Sequence, residues 1–221
     1  MRTILAAMLF LLHACACRAG DLAGAVNVLR TVTDARPISP FAQPRHAGPT
    51  EHVDHSGTEP VLAVVYLEAH DNLNVGPVPE PNPVVDQVDM TIVPHTLVVP
   101  VGTTVDFNNS DEVYHNLFSL SPARKFDLGR YGKGGSRSIT FEEPGEVRLF
   151  CDIHPHMSGI VLILPNQYFD EVPPDGRYRI EGIPAGDYRV HAWHETLDEQ
   201  IKTVSIPAEG EVELNFYLGE R

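Results

Sequence analysis

The segment from Cys151 to Met157 places several metal-binding side chains in one short loop. It reads Cys-Asp-Ile-His-Pro-His-Met and supplies a thiol, two imidazoles and a thioether, at Cys151, His154, His156 and Met157. Thiolate and thioether sulfur combined with imidazole nitrogen form a donor set that suits copper. We therefore predict that this loop forms one side of a mononuclear copper site.

The loop alone does not complete such a site, so a second histidine must come from elsewhere in the chain. His115, in the sequence Val-Tyr-His-Asn, is the candidate. The thiolate and two imidazoles would make the strong bonds, and Met157 would be a weak fourth donor that tunes the potential. His156, directly beside Met157, is the alternative for that fourth position.

A Cys-x-x-His sequence is also compatible with other chemistry. Zinc accepts cysteine and histidine, whereas haem attachment would require a second cysteine before the histidine. A cysteine nucleophile would need a substrate pocket, for which the sequence has no signature. A multicopper oxidase would need histidines flanking Cys151 and several His-x-His pairs, but His154-Pro155-His156 is the only such pair. We predict that the protein is not an enzyme.

Residues 1–19 have the composition of a secretory signal peptide. Arg2 precedes an apolar stretch from Thr3 to Leu12, and small residues follow as far as Ala19. This order predicts export to the periplasm or medium, with cleavage after Ala19. The apolar stretch is too short to span a bilayer, and no later one is long enough. Leu12-His13-Ala14-Cys15 loosely resembles a lipoprotein cleavage box, which leaves a lipid anchor as an alternative.

The use of cysteine supports the metal site. The chain has three cysteines, and cleavage after Ala19 would remove Cys15 and Cys17. Cys151 would then be a lone thiol in an oxidising compartment, where an unprotected thiol is open to oxidation. A buried position or a bound metal would protect it, and the nearby His154 and Met157 favour the metal.

The charge of the chain limits its partners. The formal net charge is −14 at pH 7, so we expect no binding to nucleic acid, whose phosphates repel an acidic protein. A basic protein partner could be attracted instead. The main basic segments are Arg124-Lys125 and Arg130 to Arg137, which could dock an acidic partner or be solvated loops.

The pattern after the signal peptide predicts an all-β protein. Between Val84 and Pro165, short apolar or alternating segments are separated by Gly, Pro and Asn, as in a β-sandwich. Predicted strands include Val88–Ile92, Leu97–Val101, Val105–Phe107, Ser136–Phe141, Val147–Phe150 and Gly159–Leu164. After Pro165 a second unit begins, in which Asp175-Gly176 predicts a hairpin turn.

These residues, taken in order, resemble the cupredoxin family. A Gly-Thr-Thr-Val-Asp-Phe strand precedes Asn-Asn-Ser-Asp and His115-Asn116, and a Pro-Gly turn leads to Cys151-x-x-His154-x-x-Met157. The ligand loop is similar to that of amicyanin, and the whole chain is similar to bacterial methylamine-utilisation or plastocyanin-like proteins. The resemblance implies a Greek-key β-sandwich holding one type 1 copper ion.

The resemblance also implies a role for each residue. His115, Cys151 and His154 would be equatorial ligands, Met157 the axial ligand, and Asn116 a neighbour whose hydrogen bonds tie the two ligand loops together. The implied function is electron transfer between protein partners. The alternative is a periplasmic copper-binding or delivery protein without redox turnover, which the loop histidines His46, His52 and His55 would support.

The C-terminal part resembles a carboxypeptidase-regulatory-like, or transthyretin-like, β-sandwich. The likeness lies in residues 175–188 and matches the second half of that domain, while Ala63-Val64-Val65-Tyr66-Leu67 fits its first half. We predict residues 20–72 and 166–221 as the two parts of one sandwich, with the cupredoxin domain, residues 73–165, inserted between them. The alternative is that residues 20–72 extend the cupredoxin domain.

Several further side chains carry expectations of their own. His95 is expected at a strand edge. His191, His194 and Glu195 are candidates for a second metal site, although packing at a strand end is the alternative. Trp193 and Tyr188 are expected in a hydrophobic core.

Overall fold

The computed structural model describes residues 19–28 and 62–219, and in this part of the chain every regular element is a β-strand. The prediction of an all-β protein is thereby confirmed. No helix that could span a membrane occurs in these residues. The predicted signal peptide up to residue 18, and His46, His52 and His55, lie outside the described residues.

The strands fall into three groups along the chain. The first two are β1 (Ala19–Val28) and β2 (Ala63–Leu67). The next nine are β3 (Val84–Val88), β4 (Thr91–Val93), β5 (Thr96–Pro100), β6 (Thr104–Asn109), β7 (Leu117–Ser121), β8 (Arg124–Asp127), β9 (Ser136–Thr140), β10 (Gly145–Cys151) and β11 (Ser158–Leu164). The last six are β12 (Phe169–Val172), β13 (Arg177–Pro184), β14 (Gly186–His194), β15 (Gln200–Ile206), β16 (Glu211–Glu213) and β17 (Phe216–Leu218).

Strands β3 to β11 form one sandwich, here called the central sandwich. One sheet has the order β4-β3-β6-β9, and the other has the order β5-β11-β10-β7-β8. Their inward side chains, among them Phe107, Phe141 and Leu149, are fully buried and make a single apolar core. The alternating burial of β6 and β10 shows why these segments form strands, since every second side chain enters this core.

The remaining strands form a flanking sandwich whose strands come from both ends of the chain. One sheet has the order β13-β1-β16 with β17 also on β1, and the other has the order β12-β2-β14-β15. In β2, Val64 lies opposite Trp193 of β14 and Glu171 of β12. All the partners of β1 and β2 within the described ranges are strands that follow β11. The central sandwich therefore lies in the chain between two parts of one sandwich.

The two sandwiches are joined by a third apolar cluster. Its buried members are Val64, Val98, Ile160, Leu162, Leu164 and Trp193, from β2, β5, β11 and β14. The alternate residues Val161 and Ile163 of β11 enter the central core instead. The continuous apolar sequence of β11 follows from this burial on both faces, and the four sheets stack in layers.

Two turns differ from the sequence prediction. Val88–Ile92 is not one strand, because Asp89 and Met90 adopt positive φ values of 51° and 56° and separate β3 from β4. The carboxylate of Asp111 stabilises this turn by accepting hydrogen bonds from both backbone N–H groups, at 2.6 and 2.9 Å. Asp175-Gly176 is not a hairpin turn between paired strands, because β12 and β13 belong to different sheets.

Candidate metal centre

Strand pairing brings the two predicted ligand segments together. Cys151 is the last residue of β10 and lies opposite Leu117, the first residue of β7. His115 therefore lies two residues from a position already paired with the cysteine. His115 also forms a β-bridge with Tyr131. The N–H of Tyr131 donates to the carbonyl of His115 at 3.0 Å, and the N–H of His115 donates to the carbonyl of Tyr131 at 3.2 Å.

The buried amide of Asn109 fixes the segment that carries His115. Its Nδ2 donates to the carbonyl oxygens of Val113 and Tyr131, at 3.0 and 2.9 Å. These bonds hold the backbone on both sides of the histidine. The sequence Asn-Asn-Ser-Asp does not reveal this role, because the partners of Asn109 are reached only in the folded protein.

Three donor atoms converge at one point. The Sγ of Cys151 lies 3.8 Å from the Nδ1 of His115 and 3.8 Å from the Nδ1 of His154. The two Nδ1 atoms are 3.0 Å apart. Within the described ranges, these residues form the only group of three or more His, Cys, Asp or Glu side chains with donor atoms close enough to share a metal ion.

The spacing of these donors fits a shared metal ion. Zinc bonds of about 2.0 Å to nitrogen and about 2.3 Å to sulfur, at an angle of about 120°, place the nitrogen and sulfur about 3.7 Å apart. The observed 3.8 Å separations agree with that value. The donor set itself, a buried thiol and two imidazoles, favours copper or zinc over harder ions.

The ligand loop is a compact turn that returns directly to the sheet. The N–H of Met157 donates to the carbonyl of His154 at 3.0 Å, and the N–H of Cys151 donates to the carbonyl of Met157 at 3.3 Å. The side chain of Met157 is only 1% exposed and belongs to the same core cluster as Cys151. His156 is exposed to solvent. Burial beside Cys151 favours Met157 over His156 as the fourth donor.

Asp111 is a site residue that the sequence analysis did not identify. Its Oδ2 lies 2.8 Å from the Nε2 of His115, the ring nitrogen that faces away from the cluster. Burial opposes ionisation of Asp111, but N–H donation from Met90, supported by His115 and Asp89, lowers the pKa of its carboxyl. The carboxylate thus orients His115 so that Nδ1 faces the other donors. The sequence has no signal for this contact, because residues 111–115 form a loop, where a four-residue spacing does not by itself bring two side chains together.

Asn116 links the ligand loops through its backbone. Its carbonyl oxygen accepts a hydrogen bond from the N–H of Asp152 at 3.0 Å. Its side-chain amide oxygen is buried without a hydrogen-bond partner. Asn116 therefore connects the two loops by a main-chain hydrogen bond, whereas its side-chain oxygen makes no hydrogen bond.

His154 lies at the outer edge of the cluster. Burial, and then the neighbouring His115 and His156, lower the pKa of its imidazole. A neutral imidazole is the form that binds a metal. Exposed apolar side chains lie near the other candidate histidine: Tyr114, directly before His115, is 64% exposed, and Val113 and Met90 are also exposed.

His191 of the flanking sandwich has carboxylate and aromatic partners. The Nδ1 of His191 lies 3.0 Å from Glu199, its Nε2 lies 3.6 Å from Glu68, and its ring stacks on Tyr66. Glu195 is instead bonded to His95. The structure thus does not bring His191, His194 and Glu195 together around one point. Trp193 and Tyr188 are buried, which confirms that they are core residues.

Comparison with known proteins finds similarity among solved structures only. No protein-family model matches the chain, and no curated protein matches it. A purple cupredoxin from Nitrosopumilus maritimus is 28% identical, and the match covers 37% of this chain and 99% of that one, with a TM-score of 0.34. A reduced amicyanin variant is 26% identical over 45% of this chain and 97% of that one, with a TM-score of 0.35. TM-scores this low carry no argument about the site, which stands on its own geometry.

Proposed function

We propose that this chain is an exported mononuclear type 1 copper protein that transfers electrons between protein partners. The observation that carries the proposal is the convergence of the buried Cys151 thiol with the Nδ1 atoms of His115 and His154. Cys151 and the two histidines would be the equatorial ligands, and the buried Met157 would be the axial ligand. Bound copper supplies one-electron chemistry.

The residues around the cluster favour electron transfer because they restrict movement of the donors. Cys151 is held in a paired strand, His115 is held by Asp111 and by its bridge to Tyr131, and the loop returns immediately to β11. Copper(I) and copper(II) prefer different geometries. A site that holds its donors in place needs little rearrangement when an electron moves.

The route for the electron would pass through the exposed end of the site. His154 is the ligand nearest the surface, and Tyr114 and Val113 provide exposed apolar area on the neighbouring loop. An apolar surface around a partly exposed ligand permits close approach of a redox partner. The partner would dock here. It would be a basic protein, because the overall charge of this chain is strongly acidic.

The domain assignment is part of the same proposal. The central sandwich would be the cupredoxin domain of residues 73–165, and the flanking sandwich would be a transthyretin-like domain formed by residues 20–72 and 166–221. The pairing of β2 with β12 and β14 supports this division. Export to the periplasm or medium follows from the signal-like sequence of residues 1–19.

Visible spectroscopy of the purified protein with added copper(II) tests the proposal. We expect an intense thiolate-to-copper band that is lost in Cys151→Ser and in His154→Ala. His156→Ala is the matched control, since it removes an exposed histidine from the same loop and should keep the band. Copper binding without the band, or binding of zinc alone, would contradict the proposal. A reversible one-electron midpoint potential would separate an electron carrier from a delivery protein.

A further inference from the structure

The flanking sandwich contacts the central sandwich close to the point where the ligand loop ends. Glu195 directly follows β14, and its Oε1 lies 2.9 Å from the Nε2 of His95, which lies between β4 and β5. The side chain of Glu195 is only 13% exposed. Glu195 and His95 therefore form a polar contact between the two sandwiches, beside the apolar cluster that joins them.

His95 also contacts the first residues of β11 through its backbone. Its carbonyl oxygen accepts a hydrogen bond from the N–H of Ile160 at 2.7 Å. A Cβ atom on Gly159 would lie 3.0 Å from this oxygen and 2.8 Å from Cγ2 of Ile92. The backbones of His95 and Gly159 are therefore closely packed, and the backbone of His95 holds the first residues of β11 on the side away from β10.

The start of β11 directly follows the candidate axial ligand. Met157 immediately precedes Ser158, the first residue of the strand, and Gly159 is paired with Leu149 of β10 on the other side. The segment that follows Met157 is therefore held between β10 and the bend that contains His95. Displacement of this bend would move the methionine end of the loop more than the cysteine end, because Cys151 is fixed by β7 and β10.

We propose that Glu195 is a positioning residue for the metal site, acting through His95 and the start of β11 on Met157. The inference rests on the proposed copper function and extends it, because it makes the flanking sandwich part of the site's support. Glu195 raises the pKa of His95 above its ordinary value, and the backbone of Ser158 also favours the charged imidazole. A charged imidazole strengthens the contact that holds the bend.

The axial position is where such support matters most. In the proposed site the thioether of Met157 would be a weak donor that tunes the potential, so a small shift of Met157 would change the relative stability of the two copper oxidation states. We expect loss of the Glu195 carboxylate to change the ratio of copper(I) to copper(II) affinity by up to about 10-fold, the lower end of the effect of losing a ligand's direct hydrogen-bond partner, because Glu195 acts through His95. The band that depends on Cys151 should remain, because the equatorial donors keep their own supports.

The first test uses the metal-free protein and does not depend on copper. Hydrogen exchange of the Ile160 amide should be at least about threefold faster in Glu195→Ala than in wild type, because its bond to the His95 carbonyl opens more often. Glu68→Ala is the matched control, since it removes a carboxylate of the same sandwich whose partners are Arg189 at 3.0 Å and His191 at 3.6 Å, and neither partner is His95. Unchanged exchange at Ile160 in Glu195→Ala would overturn the proposal.

The second test uses the copper-loaded protein in a double-mutant cycle. The midpoint potential and the visible spectrum should change in Glu195→Ala, stay as in wild type in Glu68→Ala, and show no further change when Glu195→Ala is added to His95→Ala. A change that persists in the His95→Ala background would mean a direct charge effect and would overturn the positioning role. Faster exchange at Ile160 without any change at the site would also overturn it.

Failure of the wild-type protein to bind copper would contradict the proposed function, while the exchange result would still report on the contact between Glu195 and His95.

Discussion

At the scale of single residues, the site depends on groups that aim the donors as well as on the donors themselves. Asp111 accepts hydrogen bonds from the turn at Asp89 and Met90 and also faces His115. One carboxylate therefore connects β3 and β4 to the candidate ligand. Partners of this kind fix the ring orientation of a metal-binding histidine and raise its basicity.

Asp111→Asn should weaken metal binding without unfolding the protein. An amide has only one oxygen, so its NH2 group would face either the N–H of Asp89, in place of Oδ1, or both the N–H of Met90 and the Nε2 of His115, in place of Oδ2. We expect the affinity for copper(II) to fall by about 10- to 100-fold, measured by competition with a chelator. Glu112→Gln is the control, because Glu112 is exposed and bonded to Lys133. Equal affinities in both variants would show that Asp111 does not support His115.

At the scale of strands, β2 and β11 are unusual because both of their faces are buried. Val64 of β2, and Ile160 and Leu162 of β11, face the interface between the sandwiches, while their neighbours Val65 and Val161 enter the separate cores. This arrangement stabilises the contact between the sandwiches by the same hydrophobic effect that stabilises each core. The two sandwiches should therefore unfold together.

Leu162→Ala should test how much the interface contributes. Removing a large buried side chain costs about 2–5 kcal/mol when the surroundings relax only partly. We expect that loss in the free energy of unfolding, measured by urea denaturation with fluorescence and circular dichroism in one coincident transition. Leu120→Ala, at a position that is 60% exposed, should change it by no more than about 0.5 kcal/mol. A loss in Leu162→Ala as small as that of the control would show that the interface adds little stability.

At the scale of the whole molecule, the contact between the sandwiches depends on pH. Hydrogen bonding to Glu195 raises the pKa of His95 despite burial, and bonding to His95 lowers the pKa of Glu195. Arg148 and His194 also face this pair, and Arg148 opposes the charged form of His95. The stabilisation from His95 is fully present below its unfolded pKa, about 6.5, and is lost as the pH rises through its raised folded pKa. The stabilisation from Glu195 is present above its unfolded pKa, about 4.3, and is lost as the pH falls through its lowered folded pKa.

The stability difference between wild type and Glu195→Gln should therefore be larger at about pH 5.5 than at about pH 8.5. Because the side chain of His95 is 45% exposed, solvent screening limits the difference to about 1 kcal/mol or less. Urea denaturation of the metal-free proteins at the two pH values measures it. Glu181→Gln is the control, since its partner Arg179 keeps its charge throughout this range. A difference that does not change with pH would exclude a titrating contact between the sandwiches.

The sequence by itself determined the local features of this protein. The spacing of Cys151, His154 and Met157 predicts three donors on one loop, because neighbours in a tight turn are close together in any fold. Alternating and continuous apolar segments predict strands, since side-chain burial has a period of two residues along a strand. The all-β class and most of the strands of the central sandwich follow from these local signals.

Only the tertiary structure decided which distant segments meet. His115 reaches Cys151 because β7 pairs with β10, and Asp111 reaches His115 because a turn at Asp89-Met90 fixes its carboxylate. The apolar sequence of β2 indicates burial but does not specify the partner, which is β14 in the last part of the chain. Pairings of this kind are set by packing between residues far apart in sequence, whose energies local propensity does not contain. For the same reason, the contact of Glu195 with His95 becomes visible only when both sandwiches are in place.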